Sequence, residues 1–565
     1  MLNGTLRTAL GLGGALIGSD NVNVDWLYKS LFWSPNATAA AVDAISAGVD
    51  QEMGSGMYAR LLPAALASGE LAEAVVDRAA GNVLRAKLAA NLFDAPFVNV
   101  SLEPLVVHSD AHVALARAAA AEGIVLLGNA AGLLPLGDLG ARFKCVAVIG
   151  PNGGGCDADV TKMCAARLNQ VGNYSPLGAP TAPSATGASP FGVYLVEDAL
   201  RVQFPALNVT FSRGADIDAS AYNPQMLADA VALSQQADLV FLVLGDSACN
   251  GGGPGGFGGC TCGEGADRTS LDLPGTQQLL LQAVLNATGN LAGAELPLAY
   301  QYAGIAPLSG GRVVPVVVVL IHGRPATFDS SNHNWLQPGA ASGSATALLT
   351  AWLPSEQGGL AIVDVASGAV NPSGRLAQAW PRSGGHVRSP SSPSWQQPNS
   401  QGDNPFFEPR NNDGGWAPLF PLLHGGSYTT FAFSALAASP PGPLALNSSW
   451  APADVVVTLS VQVKNTGARD GATVVAAFFG LHVPKVIRWA RTLAAFAKVQ
   501  VAAGAGAVVQ LPVRRIDIDR WEASEQDWTV DRGAYSFFVG DCSSTGGLYV
   551  NEAPCAQQEL QFVIA

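Results

Sequence analysis

A chain of 565 residues, 48% apolar and only 13% charged, exceeds what one hydrophobic core organises, which predicts two to four globular domains and excludes a disordered chain. Its formal net charge of −13 argues against a nucleic-acid partner, because affinity for phosphate needs a basic face. No apolar run approaches the ~18 residues of a membrane span, so no membrane partner is expected either. The start, "MLNGTLRTALGLGG", has no long apolar region and no cleavage pattern, so no signal peptide is read there.

The first hundred residues open with a short strand-like "GALIGSD" and continue into the helical stretches "TAAAVDAISAGVD" and "AEAVVDRAAGNVLRAKLAANLF", whose apolar residues recur at helical spacing. The pattern then alternates. Strands "CVAVIGP", "LVFLVLGDS" and "VVPVVVVLIHG" are separated by helices such as "QMLADAVALSQQA", "GTQQLLLQAVLNA" and "SEQGGLAIVDVAS". Continuous apolar strands between helices predict a mainly parallel sheet covered on both faces. The Pro/Ser/Gly/Asn-rich "RSPSSPSWQQPNSQGDNPFF" reads as a long surface loop. Beyond it, "DVVVTLSVQVKN", "ATVVAAFFGL", "AVVQLPV" and "YSFFVG" with turn residues between them predict an all-β sandwich.

Glycine-rich followers of the strands raise nucleotide binding, which their spacing does not support. "VIGPNGGG" lacks the G-x-G-x-x-G pattern, and "NGGGPGGFGG" has no Lys followed by Ser or Thr to grip phosphate and magnesium. These glycines instead permit close turns at the carboxyl ends of parallel strands. The eight cysteines fall in local groups, Cys156 with Cys164, Cys249 with Cys260 and Cys262, and Cys542 with Cys555, leaving Cys145 apart. Local disulfides fit better than zinc, since no His accompanies the C-x-C. Acceptor triplets for N-glycans stand at Asn3, Asn36, Asn99, Asn173, Asn208, Asn286 and Asn447, and with the cysteines they predict passage through a secretory pathway.

A dozen motifs occur in register: "LGLGGALIGSD", "AGVDQEM", "VVDRAAGNVLRAKLAANLFD", "AEGIVLLGNAAGLLPL", "VAVIGPN", "VGNYSP", "GEGADRTSLDLPGTQQLL", "VVVVLIHGRPATF", "AWLPSEQGGLAIVDVASGAVNPSGRLAQAWPRS", "LLHGGSYTTF", "VKNTGARDGATVVAAFF" and "FAKVQVAAG". Together they resemble glycoside hydrolase family 3 over the whole chain. The resemblance implies a multidomain α/β protein: residues 1–105 as the C-terminal remnant of a (β/α)8 barrel, 106–435 as an αβα sandwich, and 436–565 as a fibronectin type III-like β-sandwich. A full barrel takes about 200 residues or more, so an N-terminally truncated chain is expected, lacking most sugar-positioning residues and of reduced activity.

The resemblance also implies roles. Asp20 in "GSDNVNVDW" matches the barrel nucleophile, and Glu264 in "CGEGADRTSLDLPG" matches the general acid/base, carried on a mobile glycine-rich loop of the second domain. Asp267 and Arg268 are expected to clamp that loop. Retaining glycosidases need such a carboxyl pair, roughly 5 to 5.5 Å apart, one ionised to attack the anomeric carbon and one protonated to release the leaving group. No metal or other cofactor is required. His322, Arg324, His424 and Asp246, polar residues at strand ends, are read first as hydrogen-bonded structure; Asp50 and Glu52 flank the barrel mouth or serve a cap or salt bridge. "DVTKMC" with "VGNYSP" resembles the β-xylosidase and α-L-arabinofuranosidase branch, which points to oligosaccharides of plant-type cell-wall xylan or aryl glycosides as substrate, in an extracellular or cell-wall setting. A β-glucosidase of the same family is the first alternative, and a noncatalytic carbohydrate-binding or interaction protein is the second. A homo-oligomer is compatible with either.

Overall fold

The computed structural model describes residues 6–7, 13–161, 164–172, 192–217, 223–248, 260–264, 266, 268–291, 312–328, 345–381, 384, 418–447, 450–486, 491–541 and 557–565. The chain divides into two compact units, Met1–Val107 and His108–Ala565. The long Pro/Ser-rich loop, Asp267 and the cysteines Cys249, Cys542 and Cys555 lie outside the described residues.

In the first unit, strand β1 (Gly18–Asn21) pairs in parallel with β2 (Gln51–Met53), and helices α1 (Asn23–Lys29) and α2 (Ala37–Ala47) make the crossover. Helix α2 begins where the Asn36 side chain accepts the Ala39 amide and ends at Gly48, whose left-handed backbone releases the chain. Its buried face, Ala40, Ala41, Ala44 and Ile45, has the spacing of one helical stripe and packs with Met57, Leu62 and Ala65 of α3 (Met57–Ser68) and Ala79 of α4 (Glu73–Ala89). Asp50, just before β2, is buried. It pairs with Arg7 at 2.5 Å and accepts hydrogen bonds from the Ile17 amide and Asn82, so the salt-bridge reading holds for this residue. Glu52 accepts the Ser55 amide and hydroxyl in a local turn. A short α5 (Glu103–Val106) closes this unit.

The second unit begins with α6 (Asp110–Gly123) and a six-stranded sheet built from β3 (Val125–Asn129), β4 (Cys145–Ile149), β5 (Asn208–Ser212), β6 (Leu239–Gly245), β7 (Val316–Ile321) and β8 (Thr346–Trp352). The order is β3-β8-β7-β6-β4-β5, parallel throughout except for β3, which runs antiparallel to β8. Alternation along each strand feeds two cores. Val240, Leu242 and Leu244 of β6 and Val316, Val318 and Leu320 of β7 face one side, while Phe241, Val243, Val317 and Val319 face the other. Helices α7 (Leu139–Arg142), α8 (Ala165–Val171), α9 (Val196–Gln203), α10 (Pro224–Gln236), α11 (Gln277–Ala287) and α12 (Gly358–Ser367) complete the layers. Every residue from Gly358 to Ala366 of α12 is buried, as expected of a helix apolar nearly all round, and its one charged residue in that span, Asp364, accepts from Arg117 and Gln203.

A β-sandwich follows. Strands β9 (Phe431–Ser439), β10 (Val455–Asn465) and β13 (Gly506–Arg514) form one sheet in the order β13-β10-β9. Strands β11 (Gly471–Leu481), β12 (Thr492–Val501), β16 (Gly533–Gly540) and β17 (Gln557–Ile564) form the other, in the order β12-β11-β16-β17. A small hairpin, β14 (Arg520–Glu522) with β15 (Asp527–Thr529), precedes β16. At the start of β16 the fully buried Tyr535 donates its hydroxyl to the Asp531 carbonyl at 2.6 Å, the corner that ties this kind of sandwich. The sandwich is fastened to the α/β part of its unit by Lys498 to Glu122 at 2.9 Å and by Asn371, which donates to the Asp470 carbonyl at 2.9 Å.

Candidate active site

Strand order locates the crevice before any side chain is considered. From β4 the chain goes to β5 on one side, and the next strand, β6, lies on the other side of β4. The carboxyl ends of β4 and β6 therefore diverge at the point where α/β sheets take ligands. Both strands end in glycines that admit nothing larger. A Cβ at Gly150 (φ 114°) would meet the Val243 carbonyl oxygen at 2.1 Å, and one at Gly245 (φ 141°) would meet the Ile321 carbonyl oxygen at 1.7 Å. Beyond them the two loops are joined: Asn152 donates to the Asp246 carbonyl at 3.1 Å, and Asn169 of α8 donates to Asn152 at 2.8 Å while accepting the Ala248 amide.

The long loop after β6 is pinned at its root. Gln277, the first residue of α11 and fully buried, accepts the Gly245 amide at 2.8 Å and donates to the Gly245 carbonyl at 2.7 Å. Asp246 takes three donors: the Thr261 hydroxyl at 2.9 Å and Arg268 at 3.4 Å on one oxygen, and the Gly323 amide at 3.3 Å on the other. Arg268 also donates to the Asp272 carbonyl, and Arg324 reaches across to the Ala266 carbonyl, both at 2.7 Å. Between Thr261 and Arg268 the backbone turns, and there Glu264 stands exposed. A narrow crevice beside the loop is lined by Asp246, Arg268, Leu271, His322, Arg324 and Ala326, among others.

Burial raises the Asp246 carboxyl above the ordinary carboxylate range, against the pull of Thr261, Gly323, Arg268 and Arg324. His322 is fully buried and pushed down to about 4 by loss of water, so it is neutral. Its Nδ1 donates to the Arg324 carbonyl and its Nε2 accepts the Thr350 hydroxyl at 2.7 Å, with Trp352 and Trp380 packed on the ring. His322 thus braces the backbone from which Arg324 holds the loop. His424 donates to the Leu127 carbonyl at 2.9 Å and stacks on Phe420, a structural part. Cys262 is a buried thiol pushed up to about 11, while Cys260 and the Cys156–Cys164 pair are disulfide-bonded.

The second unit therefore gathers Glu264, Arg268, Asp246, His322 and Arg324, and Arg268 makes the contacts of a loop clamp. Asp20 belongs to the first unit, exposed on β1, where its carboxylate accepts the Asn21 amide at 2.6 Å and the neighbouring Ser19 hydroxyl accepts the Met53 amide of β2. Sequence reasoning did not single out Asn152, Asn169, Thr261 or Gln277. They carry no charge and no spacing marks them; only "LPGTQQ" held a trace of Gln277. Asn286 is corrected as a glycan acceptor, because its amide nitrogen is buried on α11 and Thr288 is fully buried and donates to Val284. Asn36, Asn99, Asn208 and Asn447 are exposed; Asn3 and Asn173 lie outside the described residues. Among the described residues no group of three His, Cys, Asp or Glu side chains is placed to hold a metal ion, and no helix is long and apolar enough to cross a membrane.

The glycosyl hydrolase family 3 C-terminal domain matches residues 124–428, more than half of the chain. The chain belongs to glycosyl hydrolase family 3. A fibronectin type III-like domain matches residues 473–543 within the sandwich. The chain is 27% identical over 563 residues to a β-xylosidase of Formosa agariphila, covering 97% of this chain and 65% of the relative. It is equally 27% identical over 562 residues to a periplasmic β-glucosidase of Salmonella typhimurium, covering 96% and 63%, and 29% identical over 540 residues to β-D-xylosidase 1 of Arabidopsis thaliana, covering 91% and 59%. The solved structure of a β-glucosidase from Erythrobacter marinus superposes with a TM-score of 0.71 at 27% identity, over 100% of this chain and 65% of that one. The family 3 chain thus spans less than two thirds of the length of these relatives.

Proposed function

We propose that this family 3 chain serves a retaining, exo-acting β-glycosidase, with Glu264 as general acid/base and Asp20 as nucleophile. The observation that carries the reading is the placement of Glu264: an exposed carboxyl on a loop pinned at its root and on both flanks, beside the switch point of the sheet. In the first step the Asp20 carboxylate attacks the anomeric carbon and the glycosidic bond breaks, its electron pair leaving with the oxygen that Glu264 protonates. In the second step Glu264 takes a proton from water, which displaces Asp20 and restores both groups. Residues 1–105 are taken as part of a (β/α)8 barrel, since a parallel strand pair with helical crossover is that fold's repeating unit. Residues 106–435 are taken as the αβα domain and 436–565 as the fibronectin-like domain.

For the substrate, β-D-xylosides stand first. Relatives named β-xylosidase come from Formosa, Arabidopsis and Medicago, the last also named α-L-arabinofuranosidase. β-Glucosides are the second reading, favoured by the equal identity to the Salmonella enzyme. An extracellular or periplasmic setting fits the Cys156–Cys164 disulfide and the name of that relative. NMR of the first product released from an aryl β-xyloside or β-glucoside tests the mechanism. Retained configuration, abolished by Asp20→Asn and slowed least for good leaving groups by Glu264→Gln, is the expected result; an inverted first product overturns it.

A further inference from the structure

The Glu264 loop has one anchor that meets it on both sides of the turn. Thr261 lies three residues before Glu264 and Arg268 four residues after it, and both end on the same oxygen of Asp246, at 2.9 and 3.4 Å. The other oxygen accepts the Gly323 amide from the loop after β7, so the carboxyl is tied to the sheet as well. Thr261 closes the arrangement by accepting the Ser247 amide at 2.8 Å, next to Asp246 itself. With a relative exposure of 4%, Asp246 is screened from water, which leaves these donors as its surroundings and makes each one count.

We propose that Asp246 is the positioning residue of the Glu264 loop: by drawing Thr261 and Arg268 onto one carboxyl it fixes where the Glu264 side chain is presented. The proposal rests on the acid/base reading of Glu264 for its catalytic consequence, though not for the tether itself. Chain entropy explains the need. A glycine-rich loop leaves Glu264 many positions, and a displacement of about 1 Å from the glycosidic oxygen can cost ~100-fold in rate. Three bonds converging on one buried carboxyl remove that freedom without touching the sugar. Asparagine at this position keeps one acceptor oxygen, enough for Thr261 or for Gly323 but not for both, and loses the charge that holds Arg268, whereas alanine loses all three.

Hydrogen exchange on the full chain, read by mass spectrometry over residues 260–272, tests the tether. Exchange is expected to be slow in the native chain, faster in Asp246→Asn and at least tenfold faster in Asp246→Ala, while strands 239–245 and 316–321 keep their protection. Equal loop exchange in native chain and Asp246→Ala overturns the proposal, and so does loosening of the strands to the same degree, which would make Asp246 a general stability residue. Hydrolysis of aryl glycosides by the same proteins reads the positioning: Asp246→Ala is expected to lower kcat about tenfold or more for poor leaving groups with KM held within about twofold, and Asp246→Asn to recover part of the loss. An unchanged kcat in Asp246→Ala overturns the positioning role. If instead Glu264→Gln leaves hydrolysis unchanged, the acid/base reading fails, and the exchange ladder still judges the tether by itself.

Discussion

At the scale of single residues, the site is a contrast between one exposed carboxyl and buried groups that serve it. His322 shows what burial costs. Its imidazole titrates ordinarily at 6.5 and at about 4 in the folded chain, so between these values only the unfolded chain binds the proton. Stability is then full above about pH 6.5 and falls as the pH drops toward 4, by roughly 3 kcal/mol in all for a shift of this size. His322→Gln is expected to flatten that part of the pH dependence, read as denaturation midpoints at pH 7, 5.5 and 4.5; an unchanged slope would show that His322 is not its source. The ionisable members of the site were legible as letters. Glu264 and Arg268 stand in a motif, and Asp246, His322 and Arg324 stand at strand ends. Asn152, Asn169 and Gln277 were not, because an uncharged amide announces itself only when its backbone partners, distant in sequence, are in place.

At the scale of elements, the site depends on how β6 stops. Gly245 adopts φ 141° with the Ile321 backbone against it, so Gly245→Ala must bend or part β6 and β7 just where Asp246 and Gln277 take hold. A loss of at least about 2 kcal/mol is expected from backbone strain of this kind. Gly504 provides the control: its φ is +72° but nothing lies within 4 Å of an added Cβ, so Gly504→Ala is expected to cost about 1 kcal/mol or less. Urea titrations comparing the two decide whether contact or dihedral preference governs the cost, and equal losses would refute the contact argument. In the sandwich, Tyr535→Phe removes the hydroxyl that meets the Asp531 carbonyl, with an expected loss of about 1 kcal/mol measured the same way. Strands β4, β6 and β7 were legible because a fully buried parallel strand is a continuous apolar run. Strand β8, "TALLTAW", was not: it opens with Thr, follows a Gly/Ser stretch and has no alternation, and only its place between β3 and β7 explains why all but its last residue are buried. The reversed direction of β3 could not be read at all, since strand polarity is set by connection rather than composition.

At the scale of the whole molecule, local stability should differ between the two units. Protection against exchange follows how deeply a hydrogen-bonded segment is buried and how many strands flank it. Strand β7 is buried at all six positions, with β6 on one side and β8 on the other. Strand β1 is exposed at three of its four positions and has β2 as its one neighbour among the described residues, with an irregular register between them. A two-strand pairing of this kind is marginal unless helices cover it, and the nearby Leu31, Phe32 and Trp33 are 66%, 80% and 78% exposed rather than packed over it. The Asp50 network opposes this weakness, since Arg7, Ile17 and Asn82 converge on one buried carboxyl at the entry to β2. That network holds the base of the strand pair and leaves Asp20 near its open end. Amides of residues 18–21 are therefore expected to exchange orders of magnitude faster than those of residues 316–321 in the intact chain, and Asp50→Asn to speed the former without touching the latter. Protection of β1 equal to that of β7 would show that the first unit is organised by contacts other than these, and that Asp20 is held far more rigidly than its two-stranded setting implies.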